Sequence, residues 1–353
     1  MDPAKLARAA LKDVNVYESP RGDGLWLNAN EYPESVPYAL DTADKLNFYP
    51  EMQSSRLRAL YARYSGLAPE NILITRGGDE AISTMVRTFC EAGRDAVLIN
   101  PPTYTMYQAF AGIQGALKVN CVTLEKNGFA IDPEAIAANL DGVKTVFICS
   151  PNNPTGQAID LNAVRTVLEA AKDRAMVVVD EAYSEFCPEL SVTGWIRDYP
   201  NLVVIRTLSK AFALAGLRCG FLLAQKEVIE CLQKTLDPFA VPVPVEDIAC
   251  QALSDENLLA MKKRVAFLQE NREYFCRAVR NLPQVDKVFP SITNFVLIRF
   301  KNADEVFEAL KKENIFIRDQ QYMPGLKGCL RVSIGTKKEM DEVLRVIRSV
   351  PVR

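Results

Sequence analysis

A hydroxyl, an amine and a guanidinium stand close together in one expected loop-and-helix segment from Thr207 to Gly220: Ser209 and Lys210 are adjacent, and Arg218 follows eight residues later. An apolar run, Leu202 to Arg206, precedes them and reads as a buried strand. A lysine leaving the end of such a strand can enter a partly dry cleft. Burial there disfavours its charged form and makes the amine a better nucleophile, as a Schiff-base lysine requires. Taken alone, a solvated loop lysine is the plainer reading of Lys210. Three further stretches point to the same chemistry. Asn153 lies in Ser150 to Gly156 (SPNNPTG), Asp180 and Tyr183 follow an apolar Val177 to Val179, and Tyr104 closes Pro101 to Tyr104 (PPTY).

Composition narrows the chemistry by exclusion. The chain has 353 residues, 48% hydrophobic and 24% charged, with a net charge of −2 and no histidine. Those values suit a large globular domain with a smaller companion. The absence of histidine removes Ser-His-Asp and Cys-His catalysis and His-ligated metal sites, so no metal is expected. Nothing in the charge suggests nucleic acid or an acidic membrane surface. The apolar runs are too short to span a bilayer. No apolar stretch near Met1 reads as a secretory signal, and the nine cysteines include no C-x-x-C pair. A cytoplasmic protein with reduced thiols is expected.

The elements that must position these residues alternate. Strands are expected at Ile72–Thr75, Ala96–Ile99, Thr145–Cys149, Met176–Val179 and Leu202–Ile205. Helices are expected at 81–90, 104–111 and 161–172. This predicts an α/β large domain, 45–244, with a mostly parallel sheet covered by helices on both faces. Ligands in such sheets sit beyond the carboxyl ends of the strands, where the suggestive residues fall. Residues 25–44 and 245–353 are expected to form a smaller α+β domain, with strands at 294–300, 315–318 and 329–334. Residues 1–24 read as an arm with a short helix around Leu6, Ala10 and Leu11. Arg76 to Glu80 reads as a glycine turn opening a helix, whose Gly78 and Asp79 N–H groups would face an anion. Asp79 would also suit a helix cap. Asn30 could face a ligand or form a turn bond with its own backbone. Tyr49, in a loop beside a proline, reads by default as packing.

Taken in order, PPTY at 101–104, SPNNPTG at 150–156, DEAY at 180–183, Ser209-Lys210 with Arg218, and Leu330-Arg331-Val332 resemble the fold-type-I pyridoxal-phosphate aminotransferases over nearly the whole chain. LNANEYP at 27–33, RGGDE at 76–80, the 207–220 stretch and IRD at 317–319 are similar to the histidinol-phosphate aminotransferase branch. The resemblance implies pyridoxal 5'-phosphate as cofactor, and reversible transfer between a phosphorylated amino alcohol and 2-oxoglutarate or glutamate. It implies Lys210 as the Schiff-base lysine, Asp180 on the ring nitrogen, and Asn153 and Tyr183 on the phenolic oxygen. Tyr104 would stack on the ring. Gly78, Asp79, Ser209 and Arg218 would hold the cofactor phosphate, with Tyr49 arriving from the second subunit of a homodimer. Arg331 and Arg318 would bind the substrate's anionic group, with Tyr17 and Asn30 beside it. Read without the resemblance, Arg318 is as well explained as a strand-end surface arginine. A phosphothreonine decarboxylase, a broad aromatic aminotransferase and a catalytically silent regulatory module of the same fold are the competing readings.

Overall fold

The computed structural model describes residues 6–11, 14, 22–41 and 46–352. After the short strand β1 (Leu25–Trp26), helix α1 (Ser55–Ser65) starts where the Ser54 hydroxyl accepts the Leu57 N–H. It stops at Gly66, which supplies the left-handed φ of 74° that ends the helix. An alternating run follows: β2 (Ile72–Thr75), α2 (Gly77–Phe89), β3 (Ala96–Ile99), α3 (Met106–Gln114), β4 (Leu117–Asn120), α4 (Pro133–Ala138), β5 (Val143–Cys149), α5 (Leu161–Ala170), β6 (Met176–Asp180), β7 (Leu202–Thr207) and β8 (Gly220–Leu223). Helices α6 (Lys226–Gln233), α7 (Val243–Ala252) and α8 (Asp255–Arg280) lead to β9 (Val285–Val288) and β10 (Phe295–Phe300). The chain closes with α9 (Ala303–Lys312), β11 (Ile315–Phe316), β12 (Arg318–Asp319), β13 (Cys329–Ser333) and α10 (Lys337–Ser349).

Seven strands form one sheet in the order β2-β8-β7-β6-β5-β3-β4, parallel throughout except for β8. Its inner strands are apolar on both faces because both are covered. Val178 and Val203 pack with residues of α2, α3 and α6, while Val177, Val179 and Val204 pack with residues of α5 and α8. The α/β class with helices on both faces is therefore borne out. Four antiparallel strands, β12-β13-β10-β9, form the second sheet. Strand β1 pairs in parallel with β11, and the Leu27 carbonyl accepts the Ser333 N–H at 2.9 Å, so the segment after residue 24 lies against the second sheet.

Several expectations are corrected. The segment after Lys210 is a loop with a single short turn at Ala215–Leu217, not a helix, and it returns the chain antiparallel into β8. The RGGDE segment is not a turn before a helix. Helix α2 already starts at Gly77, so Asp79 sits in its first turn and is not its cap. The expected strand 315–318 is two pieces in two sheets, parted at Ile317. Strand β4, half polar and largely exposed, forms a sheet edge that no apolar run announces. In the arm, the described part is a short turn of helix, Ala9–Leu11, with no buried residue.

Candidate active site

The carboxyl ends of β5, β6 and β7 release Cys149, Asp180 and Thr207 at the rim of one cavity of about 440 Å³. The loop after β7 brings Ser209, Lys210 and Arg218 to the same space, and the start of α2 brings Gly78 and Asp79. Tyr104, Asn153, Tyr183 and Asn30 line it as well, and the second sheet closes it with Arg318 and Arg331. Tyr49 does not line it. This tyrosine is 82% exposed and stacks on Phe239 with ring centres 4.7 Å apart. Tyr17 lies outside the described residues.

Lys210 Nζ donates to the Ala29 carbonyl at 2.8 Å and lies 5.9 Å from the Tyr183 ring centre. Burial lowers its amine to about 8, the Arg331 guanidinium acts in the same direction, and Glu31 and Asp79 oppose both. The amine is thus readily neutral, as a nucleophile or a proton carrier must be. Asp180, the last residue of β6, is buried. It accepts the Tyr107 hydroxyl at 2.8 Å on one oxygen and the Ala182 N–H at 3.1 Å on the other. Burial raises its carboxyl to about 6, against those two hydrogen bonds, which favour the charged form.

One end of the cavity is built for a phosphate. The N-cap residue of helix α2, Arg76, makes no side-chain cap, so the first N–H groups of the helix can serve a ligand. Arg218 lies 3.2 Å from the Asp79 carboxylate and within 3.5 Å of the Ser209 hydroxyl. Gly77 makes this close approach possible. A Cβ there would come within 2.8 Å of the Arg218 guanidinium, and its φ of +77° favours glycine. The other end presents two more cations. Arg318 and Arg331 are register partners on β12 and β13, so their side chains leave the same face of the sheet side by side. Arg331 is fixed by donating to Asn153 Oδ1 and to the Asn28 carbonyl, each at 2.5 Å.

Asn30 holds an unusual backbone, with φ 55°. Its side-chain amide donates to the Tyr183 hydroxyl at 2.9 Å, its Oδ1 accepts the Ser333 hydroxyl at 3.0 Å, and its carbonyl accepts from Asn294. Asn30 lines the cavity, and its side chain bridges two protein elements there. Tyr104 donates to Asp79 at 2.9 Å. Sequence reasoning missed Tyr107, Gly77 and Asn28. The second tyrosine of Tyr104-Thr105-Met106-Tyr107, one helical turn on, was the available signal for the first.

The donor set fits a phosphorylated ring that carries an aldehyde and a basic nitrogen. It offers amides and a guanidinium for the phosphate, an amine for the aldehyde, and a buried carboxylate for the cationic nitrogen. Residues 22–347 match the family model described as aminotransferase class I and II. The chain belongs to this family. Among aminotransferases it is 49% identical over 356 residues to the histidinol-phosphate aminotransferase of Cronobacter sakazakii, covering 99% of this chain and 98% of that one. The solved histidinol-phosphate aminotransferase of Clostridium acetobutylicum is 28% identical with a TM-score of 0.84, over 92% of this chain and 98% of that one. The Sinorhizobium meliloti enzyme, solved in complex with pyridoxal-5'-phosphate, shares the fold at 24% identity and a TM-score of 0.87, over 97% of this chain and 98% of that one.

Proposed function

We propose that the chain is a pyridoxal-phosphate-dependent transaminase of histidine biosynthesis. It interconverts L-histidinol phosphate and 2-oxoglutarate with imidazole-acetol phosphate and L-glutamate. The observation that carries the substrate is the pairing of Arg318 with Arg331 directly across two strands. Both guanidiniums line the cavity from one face of the sheet. A phosphate dianion calls for both, while the planar fork of Arg331 also suits the carboxylate of glutamate. The 49% identity to a histidinol-phosphate aminotransferase over almost the full length supports the same reading.

Pyridoxal phosphate, when bound, supplies an aldehyde for the amino group and a ring that takes up the electrons released at the substrate's Cα. The chain's own residues do the rest. Gly78 and Asp79 N–H groups, Ser209 and Arg218 hold the cofactor's phosphate. Asp180 would keep the ring nitrogen protonated, and Asn153 and Tyr183 would hold the phenolic oxygen, with Tyr183 itself held by Asn30. Tyr104 covers the ring face. Lys210 would hold the cofactor's aldehyde, and its Nζ would take the proton from the substrate's Cα and return it. Tyr17 and Asn30 complete the substrate end.

The reading includes a cytoplasmic homodimer in which Tyr49 serves the neighbouring cavity. Phe48, Tyr49 and Met52, each more than 60% exposed in one chain, support a covered surface there. All nine cysteines are free, which supports a reducing compartment. Among the described residues, no helix is long and apolar enough to cross a membrane. The division into an arm at 1–24, a large domain at 45–244, and a small one from 25–44 and 245–353 belongs to the same proposal.

The test is a half-reaction. The cofactor-loaded protein receives L-histidinol phosphate without any keto acid, and its visible absorbance is followed. Conversion, reversed by 2-oxoglutarate, is expected. Conversion by glutamate but not by L-histidinol phosphate would overturn the substrate. Carbon dioxide release from threonine phosphate without conversion would replace the reaction with decarboxylation.

A further inference from the structure

Asp180 is held from behind by a residue that does not touch the cavity. Tyr107 lies in the first turn of α3 and is fully buried. Its ring stacks on Phe147 of β5, with centres 4.7 Å apart and planes 8° from parallel, and the Tyr104 ring meets it edge-on at 5.7 Å. Clamped between them, its hydroxyl reaches Asp180 Oδ2 at 2.8 Å, while the other carboxylate oxygen accepts the Ala182 N–H. Tyr107 does not line the cavity; Asp180 does.

We propose that Tyr107 is a positioning residue for Asp180, its hydroxyl keeping the carboxylate ionised and aimed at the cofactor's ring nitrogen. The inference rests on the proposed role of Asp180. Asp180 needs such support because, the Ala182 N–H apart, its surroundings work against its charge. Burial disfavours the ionised form, and Asp79 on α2 and Glu181 next in the chain add negative charge. Cys149 on β5 and the Tyr183 hydroxyl also face it, both neutral because burial raises them. Burial raises Tyr107 well above its usual value too, so it donates a proton without giving it up. A hydrogen bond to a charged acceptor is among the stronger ones, and it lowers a carboxyl's affinity for protons.

Tyr107→Phe keeps the ring on Phe147 and removes only the donor. The comparison uses the parent, Tyr107→Phe, Asp180→Asn and the double variant. The readouts are the equilibrium dissociation constant of pyridoxal phosphate and the half-reaction rate with saturating L-histidinol phosphate, between about pH 5.5 and 8.5. Without its donor Asp180 takes up a proton at higher pH than in the parent. The loss should therefore be greatest at the acidic end and fade as the pH rises. At that end, Tyr107→Phe should loosen the cofactor and slow the half-reaction by roughly tenfold, with the KM for the amine unchanged. In the Asp180→Asn background the same change should have no effect. An equal penalty at every pH, or the same penalty in that background, would reduce Tyr107 to packing and overturn the inference. Parent-like cofactor binding and turnover in Asp180→Asn would overturn the role of Asp180 itself, and this inference with it.

Discussion

Arg206 and Arg331 are two poorly exposed arginines on inner strands of the two sheets, and the chain places them differently. Arg206, on β7, lies 2.9 Å from Glu181 and 3.2 Å from Glu185, and donates to the Ser191 and Thr193 hydroxyls. Its charge is more than balanced within the fold. Arg331 donates to two neutral oxygens and has another arginine, Arg318, as its strand partner. The first arrangement completes a structure; the second sets two guanidiniums side by side on the wall of a cavity. Burial alone does not separate the two arginines; access to the cavity does, since Arg331 lines it and Arg206 does not.

The largest effect is expected where the cofactor and substrate ends meet. Lys210→Ala should abolish turnover and leave the cofactor removable by dialysis. Near-normal turnover would sink the mechanism. In the parent, capture of cofactor by the cofactor-free protein should accelerate as pH rises through about 8, because the amine must lose its proton first. Arg331→Gln should move that midpoint upward, since a neighbouring positive charge is gone.

Arg331→Gln should also lower kcat/KM for L-histidinol phosphate by roughly 10²-fold or more, the size of a lost charge-assisted contact, with little change in unfolding free energy. Arg206→Met should do the reverse. It leaves Glu181 and Glu185 buried without their cation and should cost about 3–5 kcal/mol in urea unfolding. Folded Arg206→Met protein should keep its KM. If Arg331→Gln proved as destabilising as Arg206→Met, the contrast between the two sites would collapse.

Gly77→Ala should give the smallest effect. Its positive φ and the contact with Arg218 make a loss of about 1–2 kcal/mol in cofactor affinity the expected outcome, read by titration at fixed pH. Unchanged affinity would mean that Arg218 moves aside without consequence.

Much of the site was legible because its residues announce themselves locally. Lys210, Asp180 and Asn153 each follow a short apolar strand, and parallel sheets deliver strand ends to one edge. The arginine pair was half legible. Both residues were named, but their opposition depends on a register set by the loop between β12 and β13, which no local pattern encodes. The Tyr107 bond joins residues 73 positions apart, and a tyrosine at helical spacing reads as core until its partner is known. The loop after Lys210 was misread as helical because Ala211 to Leu217 has good helix formers. Tertiary contacts, including the Leu208 N–H on the Cys219 carbonyl, override that propensity.

The bridge at Asn30 has a consequence for how the protein is made. Residue 30 leaves the ribosome 264 residues before its partner Asn294 and 303 before its partner Ser333. A nascent chain can complete the strands behind Asp180 and Lys210 long before Ser333 has been added. The amide that steadies Tyr183 is therefore made long before the partners that lock it in place. A chain arrested short of residue 333 would carry a finished large sheet and an unfinished active site.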